Sequence, residues 1–310
     1  MVNKTKNKKL IEEERTRKNI NFISKKNLAF FISFILIISS LMTIYLKGLN
    51  FGIDFTGGIV IEIRTEQPLD FKKIRPILNN GHFGEVTLQT IDNKGDVMIR
   101  LQGDEGNKEE TIKSIKSILE KNIEGTIDYR KVDFVGPQVG EELIETGIIA
   151  LALAFLAIMI YIWLRFEWQF SVGAILALIH DVTITIGLFS ATQIEFNLTS
   201  IAAILIIIGY SINDSVVIFD RIRENLRRFN KKKIENLLND SINDNLSRTI
   251  LTSGTTIASL IALVTLGGNV IYGFSLAVLF GILIGTYSSI YIASPLLIFM
   301  NIRNEEKKNS

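Results

Sequence analysis

Asp214 and Asp181 stand in places where a carboxylate is costly. Asp214 is the only Asp, Glu, Lys or Arg in residues 196–219, and Asp181 the only one in 168–194. Asp214 lies in Gly209-Tyr210-Ser211-Ile212-Asn213-Asp214-Ser215, six residues before Asp220. At 1.5 Å per residue that is about 9 Å inside the end of a helix. An apolar medium works against its charge, and a nearby cation works for it. A carboxylate held between those pulls can load and release protons. The structural alternative, an Asp that bonds a helix end, is weighed against the expense of a passive carboxylate in hydrocarbon.

Arg248 is the candidate cation. Alone it reads as a snorkelling anchor at an interface. Its setting adds to that: Arg248, Thr252, Thr255 or Thr256, and Ser259 share one helical face that could hold water and meet Asp214. The working hypothesis is an Asp214–Arg248 ion pair that proton binding breaks. Asp181 follows His180 and is the deepest acid in the chain. The pair could relay protons or could be a satisfied internal hydrogen bond, and the sequence leaves both open. Without companions His180 is not a credible metal ligand.

The elements that hold these groups follow from charge patterning. Within 310 residues, of which 21% are charged, residues 28–46, 146–164 and 249–302 contain no Asp, Glu, Lys or Arg. Together with the two stretches interrupted by Asp181 and Asp214, these read as membrane spans at ~20 residues per crossing. The longest run must turn once, near Gly267-Gly268-Asn269. The expectation is six helices at 27–47, 143–164, 169–191, 197–219, 248–267 and 271–300, with the folded remainder at 48–142.

Basic residues set the orientation. The N-terminal segment 1–26 carries Lys4, Lys6, Lys8, Lys9, Arg15, Arg17, Lys18, Lys25 and Lys26. The region is long for a signal peptide, and no small-x-small cleavage site follows, so an uncleaved anchor is expected. Residues 220–247 carry Arg221, Arg223, Arg227, Arg228, Lys231, Lys232 and Lys233, and the tail 301–310 carries Arg303, Lys307 and Lys308. The positive-inside rule therefore places both termini and 220–247 in the cytoplasm, and 48–142 in the periplasm. Within 220–247, Ile222, Leu226 and Phe229 recur at helical spacing among charges, which reads as an amphipathic connector touching lipid.

Segment 48–142 has a readable order. Residues 59–66 alternate as a strand and 69–78 have helical spacing. Residues 86–91 and 97–101 are strands around Asn93-Lys94-Gly95-Asp96. Thr111, Ile112, Ile115, Ile118 and Leu119 form a helical stripe, and 126–135 is a last strand. This β-α-β-β-α-β order predicts a small external α+β domain of ferredoxin-like form. The fold class is thus an all-α six-helix transmembrane bundle with that domain attached.

Composition excludes other classes. A net charge of +2 makes no case for a nucleic-acid binder. Zero cysteine excludes disulfides, thiolate metal sites, iron–sulfur clusters and cysteine nucleophiles. Gly57-Gly58 is not a phosphate loop, and no Walker motif occurs. Neither a cofactor, a metal nor an enzymatic activity is expected. Stripes of small residues at spacing four, Gly254-Ala258-Ala262 and Gly273-Ala277-Gly281-Gly285-Ser289-Ala293, point to close helix packing.

Several stretches are family-specific. They are Gly48 to Gly58 (GLNFGIDFTGG), Gly136-Pro137-Gln138-Val139-Gly140, Tyr161 to Trp168 (YIWLRFEW) and His180-Asp181. To these are added Gly209 to Asn225 (GYSINDSVVIFDRIREN), Arg248 to Thr256 (RTILTSGTT), Phe274-Ser275 and Gly285 to Ser289 (GTYSS). With them the chain resembles the SecF proteins of the SecD/SecF family of the bacterial Sec protein-export system. That family is related to the proton-driven resistance–nodulation–division transporters. The family usually has Thr where this chain has Ser215, which keeps the hydroxyl. The resemblance implies an inner-membrane subunit partnered with SecD, acting with the SecYEG channel and YajC on preproteins at the expense of the proton-motive force. It also implies proton-transport roles for Asp214 and Arg248, with Asp181 as a further candidate. A small-molecule exporter subunit of the same class, and a non-transport assembly factor, are the alternatives.

Overall fold

The computed structural model describes residues 19–66, 69–79, 85–90, 96–102, 108–123, 125–229, 231–300 and 302. The basic segment 1–18, the expected turn at Asn93-Lys94-Gly95 and most of the tail lie outside the described residues.

Six described helices are long and apolar enough to cross a membrane. Span one is Lys26–Lys47, span two Pro137–Arg165 and span three Trp168–Thr192. Span four is Leu198–Arg228 and span five Ile234–Leu266. Span six is Asn269–Ser288, continued by a π-helical turn Ser289–Ala293 and a short helix Ser294–Phe299. Continuous helix is what these apolar runs require, because hydrocarbon offers no water to bond a free N–H or C=O. Span three is the most enclosed and span two the least.

Small residues set how closely the helices approach. A Cβ on Gly187 of span three would lie 2.3 Å from the Ser40 Cβ of span one. One on Gly281 of span six would lie 2.2 Å from Ile207 Cδ1 of span four, and Gly285 likewise faces Ser211. The stripe of span six therefore works as packing. The stripe of span five does not pack within this chain: Gly254, Ala258 and Ala262 are exposed.

The domain between spans one and two is a four-stranded antiparallel sheet. Its strands are β1 (Gly58–Thr65), β2 (Glu85–Thr90), β3 (Asp96–Gln102) and β4 (Ile127–Val135), in the order β2-β3-β1-β4. Helices Phe71–Asn79 and Lys108–Asn122 follow β1 and β3. This is the expected ferredoxin-like arrangement. Ile59, Ile61 and Ile63 point to one face, where Ile74, Leu78, Ile115 and Leu119 of the helices cover them. Side chains alternate along a strand, so Glu62, Arg64, Asp96, Arg100 and Lys131 share the other face. There Arg64 Nε and Nη2 donate to Asp96 at 2.5 Å each. The chain enters the sheet through Gly57 and Gly58, at φ +67° and +121°. Residues with a Cβ rarely adopt those values.

The expected amphipathic connector at 220–247 is corrected. Span four stays helical to Arg228, and span five starts at Ile234. Ile222 and Leu226 are buried in one cluster with Leu237, Leu238, Ile242, Phe22 and Ile23. Within it Asn225 Nδ2 donates to Ser241 Oγ at 2.9 Å. The helical spacing is real, but another helix covers the apolar face, leaving the charges outside.

A strap precedes span one. The Ile20 amide donates to Asn243 Oδ1 at 2.9 Å, and Asn239 and Asn243 each donate a side-chain N–H to the Ile20 carbonyl. The Phe22 amide donates to Asn239 Oδ1 at 2.8 Å.

Candidate functional site

Span four presents Asp214 inward. The residue is buried, and its Oδ2 has no hydrogen-bond partner. The groups that bear on the carboxylate are the Arg248 guanidinium, through space, and the Ser253 hydroxyl. Both belong to span five. Ser253 Oγ is also 2.9 Å from Thr286 Oγ1 of span six. The expected Asp214–Arg248 ion pair is not formed: no contact within 4.0 Å joins the two, and Arg248 bears on the carboxylate only through space. A carboxylate with one oxygen unbonded and a cation at a distance keeps room for a proton.

Arg248 is exposed and lines a cleft of about 610 Å³ at the bundle end away from the sheet, with Tyr161, Arg165, Asp220, Arg221 and Asp244. The polar stripe expected to meet Asp214 turns elsewhere. Thr252 Oγ1 donates to the Arg248 carbonyl, Thr255 Oγ1 to that of Leu251 and Ser259 Oγ to that of Thr255. Those hydroxyls bond back to their own helix, and Thr255 and Ser259 are exposed. The hydroxyl of span five that is buried and bears on Asp214 is Ser253, which the sequence reading missed. Four residues before Ile257, it falls on the inward side of span five, the only signal that could have found it.

Asp181 is fully buried in span three and has both carboxylate oxygens engaged. Oδ1 lies 2.9 Å from His180 Nδ1. Oδ2 accepts from Ser211 Oγ of span four at 2.6 Å and from Ser288 Oγ of span six at 2.7 Å. The carboxylate thus ties three spans together. Ser211 is three residues before Asp214, so the tie holds the helical face that carries Asp214. With Nδ1 turned to the carboxylate, His180 leaves Nε2 buried and without a partner. The imidazole ring centroid is 6.2 Å from that of Tyr287, whose hydroxyl donates to the Ala29 carbonyl of span one at 2.8 Å.

A polar face remains uncovered. Gly209 and Asn213 of span four and Gly254, Thr255 and Ser259 of span five are exposed along the outside of the bundle. Polar groups at this depth are unfavourable against lipid and favourable against another helix.

Fold and site together define a multi-span membrane protein with a charged residue held inside its bundle and a small αβ domain at one end. The chain belongs to the SecD/SecF family. The family model described as "Protein export membrane protein SecD/SecF, C-terminal" matches residues 114–303, and that of the "SecD/SecF GG Motif" matches 44–69. A protein translocase subunit SecF from Rickettsia bellii (strain OSU 85-389) is 51% identical over 290 residues, covering 93% of this chain and 96% of that one. The SecF of Rickettsia rickettsii (strain Sheila Smith) is 50% identical over 291 residues, with 94% of each covered. Among solved structures, SecDF from Thermus thermophilus, described as a translocon-associated membrane protein, aligns at TM-score 0.83 and 35% identity. The alignment covers 91% of this chain and 38% of the SecDF chain, so this chain spans well under half of that protein. SecDF in a super-membrane-facing form aligns at TM-score 0.69 and 33% identity.

Proposed function

We propose that the chain is the SecF-type subunit of the Sec preprotein translocase. With SecD it uses the proton-motive force to complete protein translocation across the inner membrane. The observation that carries this reading is Asp214: buried inside the bundle, bare at Oδ2, and under the through-space influence of Arg248. Protonation cancels the attraction between Asp214 and Arg248, deprotonation restores it, and spans four and five repack accordingly. Asp181 acts as the fixed tie against which span four moves.

The exposed polar face of spans four and five supports a partner there, and SecD is the partner that family membership suggests. SecD would complete the proton path. SecYEG, YajC and the emerging preprotein are the further contacts. Both termini lie in the cytoplasm on the positive-inside rule, with the αβ domain in the periplasm and the Arg248 cleft opening inward. The energetics are sufficient. One charge through 100 mV is worth ~2.3 kcal/mol. A few protons therefore suffice to move a two-state domain from 1:99 to 99:1, at ~5.5 kcal/mol.

The test is export of a labelled preprotein into vesicles carrying the full complex and an imposed proton gradient. Asp214→Asn is expected to abolish the gradient-dependent part and the associated proton flux. Unchanged gradient-driven export with that variant ends this reading.

A further inference from the structure

The turn between spans three and four is bonded to the segment that leads into the αβ domain. The Phe196 amide donates to the Asn50 carbonyl at 2.8 Å, and the Gly52 amide to the Phe196 carbonyl at 2.9 Å. Asn50 Nδ2 donates to the Gln193 carbonyl at 2.9 Å. Phe51, Phe55, Phe189 and Phe196 pack with ring centroids 5.2–6.1 Å apart. At Gly52 a Cβ would stand 2.4 Å from Glu195 Oε1, and at Gly140 of span two one would stand 2.9 Å from the Phe55 carbonyl oxygen.

Two charged residues close this joint. Asp54 Oδ2 accepts from the Leu198 amide, the first helical residue of span four, at 3.0 Å. The opening N–H groups of a helix have no partner within it, and a carboxylate there is favoured by the helix dipole. From the sheet, Arg100 of β3 reaches down. Its Nη1 donates to Asn50 Oδ1 at 3.1 Å and to the Phe51 carbonyl at 3.0 Å. Its Nη2 lies 3.0 Å from Glu195 Oε2, an ion pair without hydrogen-bond alignment. Little of either side chain reaches solvent, 14% for Arg100 and 24% for Glu195.

From this geometry we infer that Arg100 is a positioning residue. It joins the αβ domain, the 50–56 segment and the domain-side end of span four into one body. Motion of span four then reaches the domain through Asp54 and Arg100. Span one ends at Gly48, at φ +67°, and Gln193 Nε2 of the same turn donates to the Gly48 carbonyl at 3.4 Å. Only the use of that motion rests on the proton-driven reading.

The test uses the full chain in its complex. This chain has no cysteine, so in a complex with cysteine-free partners spin labels on Lys113→Cys and Thr199→Cys report the domain-to-span-four distance. A single narrow distribution is expected with Arg100 and a broad one after Arg100→Ala. An unbroadened distribution overturns the joint whatever drives it. In export vesicles Arg100→Ala is expected to lose roughly tenfold of gradient-driven export, the scale of a typical coupling energy, while proton flux persists. Linking Arg100→Cys to Glu195→Cys with a short bifunctional thiol reagent should restore export. Wild-type export by Arg100→Ala, or loss of export on linking, counts against the inference. Asp214→Asn run alongside tests the proton reading separately, since the spin-label width does not depend on it.

Discussion

The Ser211 hydroxyl of span four donates to Asp181 of span three across 2.6 Å, three residues before Asp214. The acid on span three thereby sets the rotation of the helix bearing the other acid. Hydrogen bonds to charged groups contribute about 1.5–3 kcal/mol, and stranding a buried acceptor costs a similar amount. Ser211→Ala is expected to lower the thermal stability of the bundle by about that much. Ser211→Ala and Ser288→Ala combined should depart from additivity, because both hydroxyls serve the same oxygen. Thermal unfolding in detergent measures both.

Arg248 acts on Asp214 at a distance, so charge matters more there than fork geometry. Arg248→Lys should keep part of the proton-coupled activity, and Arg248→Gln should lose nearly all of it. Proton uptake by vesicles with an imposed gradient separates the two. Equal activity of the two variants would remove Arg248 from the proposed site.

The contact of Gly187 with Ser40 leaves no room for a methyl group. Gly187→Ala should force spans one and three apart and destabilise the bundle by about 1–3 kcal/mol, the usual cost of overpacking. The nearest atoms include the Ser40 Cα, so rotating a side chain does not relieve the clash. Ala at Gly254, which faces open space in this chain, should be tolerated unless a partner covers it. Comparing Gly254→Ala with and without SecD by thermal unfolding reads that difference.

On the sheet, burial pushes Glu62 above the ordinary carboxylate range; Lys131 pulls it back, and Glu195, Asp133 and Asp96 add to the push. The folded domain therefore holds this proton more tightly than the unfolded chain. The resulting stability is full below the unfolded value and is lost as pH rises through the raised folded value. At neutral pH the charged Glu62 is thus a net cost. Glu62→Gln should unfold slightly later than wild type at pH 7.5, on the order of 2 °C, and the gap should close near pH 4. A constant gap across that range would exclude Glu62 as its source.

The six helices were legible because hydrocarbon tolerates few charges, which leaves long gaps in the sequence. The βαββαβ order was legible because alternation at Ile59, Ile61 and Ile63 differs from the spacing of Ile115 and Leu119. Asp214 stood out for the same energetic reason as the spans; Arg248 was singled out by the hydroxyls beside it, which bond back to their own helix. Hydroxyls did not. Ser253 and Thr255 are two residues apart and chemically alike, and only the rotation of span five decides which faces the bundle interior. Arg100 was invisible for a different reason: it is one charge among many in a domain full of them, and only the docked turn at Glu195 marks it. At 220–247 the charges concealed that two long helices continue and cover each other's apolar sides.

The strap at Ile20 has a consequence for biosynthesis. Its partners, Asn239 and Asn243, follow it by up to 223 residues. At ~5–20 residues per second of synthesis, the N-terminal segment waits about 10–45 s before its acceptors leave the ribosome. Four helices must be threaded before the first can be buckled, so the strap closes only once span five has begun to emerge.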